Sequence, residues 1–243
     1  MYTRPAVEDK VLEFGVSGKL LWNALLMYDR QTDSLWSHIT GEAISGRLKG
    51  ESLKVIPSVH TAWKEWRKAY PHTLVLSKGS RRYSSDPYED YYNDPARIGI
   101  SPQKRSDGNL PPKEYVVGIK LDTEARAFPF SYLEEHPVIN DELAGRSLVI
   151  VFSREGKIAA TFDRQVEGHT LTFKRDESPD QLFIKDEETG TLWHALTGEA
   201  VKGNLQGKKL RKIPHMVAFW FAWKDYFPET EIFPRKEKIH GQR

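Results

Sequence analysis

The chain has 243 residues and a mass of 28.0 kDa, with 39% apolar and 29% charged residues, which predicts globular material forming one large domain or two small ones. Thirty-six Lys and Arg against 34 Asp and Glu leave a net charge of +2, too little for a nucleic-acid binder held by bulk charge. Cysteine is absent, which excludes disulfides, thiolate chemistry and Cys-ligated metal within these residues.

No apolar run approaches the roughly 18 residues of a membrane span, and the opening MYTRPAVEDK lacks the apolar core of a signal peptide. The expectation is a cytoplasmic protein as written, or an exported one if a longer N-terminus carries a signal.

Taken in chain order, residues 1–77 end in a predicted helix over Ser58–Tyr70, capped by Ser58 after Pro57 and stopped by Pro71. Val59, Ala62, Trp63 and Trp66 give it an apolar stripe. Residues 78–112 hold five prolines and the tyrosines Tyr83, Tyr88, Tyr91 and Tyr92. That is too long for an ordinary connection, so it reads as a strap packed over both flanking parts. Tyr115–Leu121 alternates as a strand, turns at Asp122-Thr123-Glu124 and returns over Ala125–Phe130. Ser131 is placed to cap one short helical turn that Pro137 stops. The run Ser147–Phe152 reads as a strand buried on both faces, followed by strands over Lys157–Phe162 and His169–Phe173. Leu182–Ile184 and Thr191–Leu196 flank a hairpin loop, and a helix over His215–Tyr226 closes the part before Pro228. The basic tail 235–243 is expected to fray.

An internal repeat runs through this order. Of the 48 positions Asp29–Leu76, 18 are identical to those 157 further on, Asp186–Phe233. Six of the seven tryptophans form three equivalent pairs, Trp36/Trp193, Trp63/Trp220 and Trp66/Trp223. Upstream, Val7, Leu12 and Phe14 align with Val166, Leu171 and Phe173. Tyr115–Phe162 has no counterpart ahead of Met1. The expectation is therefore a complete second repeat unit over 113–234 and an incomplete first one over 1–77, either naturally short or begun inside a longer protein.

Several stretches resemble the bacterial and archaeal family called domain of unknown function 3179. They are Phe14-Gly15-Val16-Ser17-Gly18, Met27-Tyr28-Asp29-Arg30-Gln31-Thr32, Ser34-Leu35-Trp36, Thr40-Gly41-Glu42-Ala43, Asp86-Pro87-Tyr88 with Tyr91-Tyr92, Leu110-Pro111-Pro112-Lys113-Glu114, Val138-Ile139-Asn140-Asp141 and Phe162-Asp163-Arg164. The resemblance implies no settled biochemical role. It implies a Cys-Pro-Leu-Cys-like motif in the strand before the Asp-Arg motif of the first unit, a hint of redox or metal chemistry. This chain departs from it: the first unit begins after that position, and the second reads Phe152-Ser153-Arg154-Glu155-Gly156 there.

Among candidate sites, Glu42 and Glu199 lie in matching Thr-Gly-Glu-Ala turns, and a carboxylate pair brought together by pseudo-symmetry performs acid–base work when the two pKa values split. The plainer reading gives each Glu a backbone-capping role in its own turn. His136 is the best single metal-ligand candidate, since it lies beside the loop that in the family precedes the cysteine strand. A lone histidine, however, is more often a hydrogen-bonded structural residue. His38 and His194 are one residue out of register between the repeats, and a one-residue slip puts them on opposite faces. Gly15-Val16-Ser17-Gly18 falls short of GxSxG, and there is no P-loop and no GxGxxG. The helical tryptophans read as core, and Lys208–Lys212 as a solvated face.

These readings predict an α+β protein, mainly antiparallel β, of two homologous repeat units each closed by one amphipathic helix. No cofactor is assigned and no nucleic-acid partner is expected. Unpaired sheet edges in the short first unit predict self-association. The function reading is a non-catalytic binding or scaffold protein; the alternative is a redox or metal-handling protein whose cysteines lie upstream of this reading frame.

Overall fold

A computed structural model describes residues 1–77, 88–99, 108–177 and 183–235; Tyr83, Asp86, Pro87, Leu182 and the basic tail from Lys236 lie outside them. A ribbon of β1 (Ala6–Val7) and β2 (Lys10–Val11) leads into an antiparallel meander of β3 (Phe14–Leu21), β4 (Ala24–Asp29), β5 (Leu35–Ser37) and β6 (Ala43–Ser45). Two short helices follow, α1 (Trp63–Ala69) and α2 (Glu89–Asn93). Next come β7 (Tyr115–Leu121), β8 (Glu124–Pro129), α3 (Phe130–Glu135), β9 (Val138–Leu143), β10 (Arg146–Ser153) and β11 (Ile158–Asp163). A second ribbon, β12 (Gln165–Val166) with β13 (His169–Thr170), precedes a second meander of β14 (Phe173–Arg175), β15 (Phe183–Asp186), β16 (Leu192–His194) and β17 (Ala200–Lys202). The described chain ends in β18 (Met216–Phe219), α4 (Trp220–Tyr226) and β19 (Glu231–Ile232). Mostly antiparallel sheets with few helices make this an α+β protein.

The core is organised by the apolar run in β10, whose period of two sends alternate side chains to opposite faces. Val149 and Val151 pack with Phe162, Trp193 and Leu196 on one face. Leu148, Ile150 and Phe152 pack with Val117, Ile119, Phe128 and Leu133 on the other. The β9–β10–β11 sheet thus lies between the second meander and the β18–β7–β8–β19 sheet. Strand β19 runs parallel to β8 and is tied to it by Arg126, whose fully buried guanidinium donates to Glu231 Oε2 (2.7 Å from Nη2), to the Asp141 carboxylate and to the Glu142 carbonyl (2.8 Å). Sequence gave no sign of this ion-pair group, because its members are distant along the chain.

The two meanders share their main bonds. Asp29 Oδ2 accepts from Trp36 Nε1 (2.9 Å) and Asp186 Oδ2 from Trp193 Nε1 (2.8 Å). Thr32 and Thr189 each donate backbone N–H to the same aspartate at 2.6 Å. Phe14 meets Trp36 edge-on at 5.7 Å and 80°, and Phe173 meets Trp193 at 5.9 Å and 80°. Ser37 Oγ accepts the Thr40 N–H, and His194 Nδ1 stands in the same place for Leu196 and Thr197.

Both long helices expected from periodicity are shorter than read. In place of a helix over Ser58–Tyr70, α1 begins at Trp63 with Ala62 at its N-cap and no side-chain cap, because His60 is extended and pairs with Ala159 beside β11. In place of a helix over His215–Tyr226, residues Met216–Phe219 are a strand paired antiparallel to β7, and α4 starts only at Trp220. An apolar stripe suits either element until a sheet edge is offered; β7 supplies that edge. Ser131 does not cap α3, whose N-cap is Pro129; its N–H goes to Glu114 Oε1 at 2.9 Å. The helical tryptophans also divide: Trp220 and Trp223 are buried, whereas Trp63 is 46% exposed. In the strap, Tyr91 and Tyr92 pack against Phe219 at 6.4 and 6.3 Å between ring centres.

Candidate functional site

One concavity outside the packed core is a cavity of about 340 Å³ lying between the first meander and the β7 sheet. Its first wall is set by Tyr2, which forms an isolated antiparallel bridge with Val55. The Tyr2 ring sits 2.5 Å from where a side chain on Gly41 would begin, and Gly41 has φ +74°, so only glycine fits under the ring. Phe162 covers Gly198 (φ +76°) in the same way in the second meander. The glycine of each Thr-Gly-Glu-Ala turn therefore seats an aromatic ring.

Tyr2 Oη lies 3.0 and 2.8 Å from the carbonyls of His38 and Ile39, to which it donates. Burial pushes this phenol up to about 12, so it stays protonated. His38 Nδ1 is 2.7 Å from the Leu25 carbonyl. A carbonyl only accepts, so Nδ1 carries the proton of this hydrogen bond.

The opposite wall comes from Gly118 and Lys120 of β7, the segment Pro214-His215-Met216, and Trp223 with Phe227 at the end of α4. His215 Nε2 lies 3.0 Å from the Ala159 carbonyl, and Nδ1 lies 3.5 Å from that of Ile213. Burial drives this imidazole down to about 4, so it is neutral at pH 7 and donates from Nε2. The exposed Lys120 amine reaches the Asp122 carbonyl, and Met1 also contributes to the lining. No carboxylate lines the cavity. An apolar and aromatic wall with a few fixed polar atoms is the composition common to small-molecule sites.

The residues singled out from sequence lie elsewhere. His136 is exposed at the C-cap of α3, its ring against Tyr132 at 4.4 Å. Among the described residues no three His, Asp or Glu side chains gather as metal ligands. Glu42 and Glu199 are both exposed, each at its own isolated bridge, with Ser52 and Lys209 respectively. Lys209 Nζ is 2.9 Å from Glu199 Oε1, and its hydrogen bond lowers the Glu199 pKa. No hydrogen bond or ion pair joins the two glutamates. Tyr2, His38 and His215 were not singled out as cavity residues. The contacts of Tyr2 with Gly41 and of Phe162 with Gly198 join residues distant along the chain and leave no local pattern in the sequence.

Fold and cavity together define a mainly antiparallel-β protein with a concave site between its first meander and the β7 sheet. The chain belongs to the family described as protein of unknown function (DUF3179), whose model matches residues 1–230. No curated protein and no solved structure matches the chain.

Proposed function

We propose that this is a non-catalytic binding protein of two related units, 1–77 and 113–234, joined by a strap over 78–112 and followed by a tail over 235–243, with its ligand held in the cavity between the units. The observation that carries the reading is the cavity lining: apolar and aromatic side chains, no carboxylate, and Lys120 at the rim. That chemistry suits a small apolar anion, its ring or chain against Trp223, Phe227 and Met216 and its charge toward Lys120. The matched bonds of the two meanders support the two-unit reading.

The test uses the fluorescent aromatic sulfonate 1-anilinonaphthalene-8-sulfonate. One saturable site is expected. Val55 lies 43% exposed on the rim, and Val55→Trp fills the mouth from there, so it is expected to weaken the probe at least tenfold without changing the far-ultraviolet circular dichroism. Probe binding that ignores Val55→Trp and Lys120→Glu alike would remove the cavity as the site.

A further inference from the structure

A second cavity, of about 350 Å³, opens beside the end of β10, where the start of β7 and helix α3 meet the turn between β10 and β11 and the extended residue His60. It shares no lining residue with the cavity described above. Its volume is near the lower end of the range common to small-molecule sites. One side is aromatic. Phe130 lies 5.6 Å from Tyr115 at 33° and 4.7 Å from Phe152 at 64°, ring centre to ring centre, and all three line the space.

The other side is charged. Arg154 and Lys157, the first and last residues of the β10–β11 turn, both line it, together with Glu134 of α3. The turn is held in place by its neighbours. The Gly156 carbonyl accepts from the Ala62 N–H at 3.1 Å and from the Thr61 hydroxyl at 3.3 Å, while the Gly156 N–H donates to Ser153 Oγ at 3.1 Å. The Lys157 N–H closes the turn onto the Arg154 carbonyl at 3.2 Å. The two cations are therefore set three positions apart on a fixed backbone. Arg154 Nη1 stands 3.2 Å from Glu134 Oε2. The Arg154 side chain is 75% exposed, and an exposed ion pair contributes little, so either partner exchanges it for a ligand group at small cost.

Two cations and one carboxylate beside an aromatic wall select the ligand. A plain anion held by Arg154 and Lys157 comes up against Glu134, and like charges repel. A plain cation held by Glu134 meets Arg154 in the same way. A zwitterion satisfies all three groups. Its carboxylate takes the fork of the guanidinium and the amine of Lys157, while its own ammonium takes Glu134. We propose that this cavity binds a free aromatic α-amino acid, its ring packed against Tyr115, Phe130 and Phe152. The inference goes beyond the ligand of the other cavity and does not depend on it.

The probe is L-phenylalanine, titrated into the full chain by isothermal calorimetry. One saturable site is expected. The analogues 3-phenylpropionate and phenethylamine, which each lack one of the two charges, should each bind at least tenfold more weakly. Arg154→Gln should weaken phenylalanine at least tenfold. So should Lys157→Gly, at a melting temperature no lower than that of the native sequence, because Lys157 has φ +48°, a conformation that glycine adopts freely. Val55→Trp, which fills the mouth of the other cavity, should leave phenylalanine binding unchanged. Absence of saturable binding up to millimolar phenylalanine, or binding indifferent to Arg154→Gln and Lys157→Gly alike, overturns the proposal. So does 3-phenylpropionate binding as tightly as phenylalanine, which would make Glu134 a bystander. Loss of binding in Val55→Trp overturns it too, since that would place the amino acid in the other cavity.

Discussion

Acidification from pH 7 to pH 4 is expected to remove about 3 kcal/mol of stability through His215, whose ordinary value of 6.5 is driven down to about 4 by burial. Between those two values the unfolded chain binds a proton that the folded chain refuses, so stability falls by about 1.4 kcal/mol per pH unit on acidification. Above 6.5 the imidazole is neutral in both states and its contribution is complete; below about 4 both states are protonated and the loss is finished. The hydrogen bonds to the carbonyls of Ile213 and Ala159 act the other way, and the nearby His60 and the N-terminus disfavour the charge further. Asp29 adds to the fall at lower pH. Burial alone would raise its carboxyl, but the hydrogen bonds from Trp36 and Thr32 outweigh that and hold it below its ordinary 3.8. Its contribution is therefore present above that value and is lost as the carboxyl protonates. Urea unfolding at a series of pH values should show the His215 slope in the native sequence. His215→Gln keeps a donor for the Ala159 carbonyl and should flatten the slope between pH 6.5 and 4. An unchanged slope in that variant would mean that the folded protein accepts the proton at His215.

What sequence made legible, and what it did not, follows from the range of the interactions. The hydrophobic run in β10 and the alternation in β7 announce themselves because their burial is a property of consecutive residues. The matching turns Thr40–Ala43 and Thr197–Ala200 were visible because the repeat prints them twice. The start of α4 was not visible. Met216–Phe219 carries an apolar pattern that a helix also satisfies, and the choice is made by β7, nearly a hundred residues upstream. The same limit hid the Arg126 ion pairs and the cavity, whose walls join Tyr2 and His38 to Gly118 and His215. Trp63 and Trp220 are identical by sequence and opposite in burial, because only Trp220 has a hairpin to lie on. Residue type gave the capacity for burial; the neighbour decided whether it was used.

The buried aspartate–tryptophan bond should be the strongest single polar link in each meander. Asp186 and Trp193 are both fully buried, and Oδ2 takes the indole N–H at 2.8 Å while Oδ1 is engaged by Thr189. Trp193→Phe keeps much of the ring and removes the donor, leaving a carboxylate oxygen in apolar surroundings at a cost of about 2 kcal/mol. Trp193→Ala adds a cavity at the centre of the cluster with Phe173, Ile184 and Leu196, for a total of about 3–5 kcal/mol. Packing and hydrogen bonding are separated by a double-mutant cycle of Asp186→Ala with Trp193→Phe, in which a bond to a charged acceptor gives a coupling of about 1.5–3 kcal/mol. The cycle of Asp29→Ala with Trp36→Phe should give a similar coupling, because the indole distance and the facing phenylalanine are alike there, although Asp29 Oδ2 also accepts from the Thr32 hydroxyl. Equal couplings measured by chemical denaturation would show that the two meanders keep one energetic design despite their different surroundings. A coupling near zero at Asp29 alone would show instead that the first meander relaxes around its aspartate.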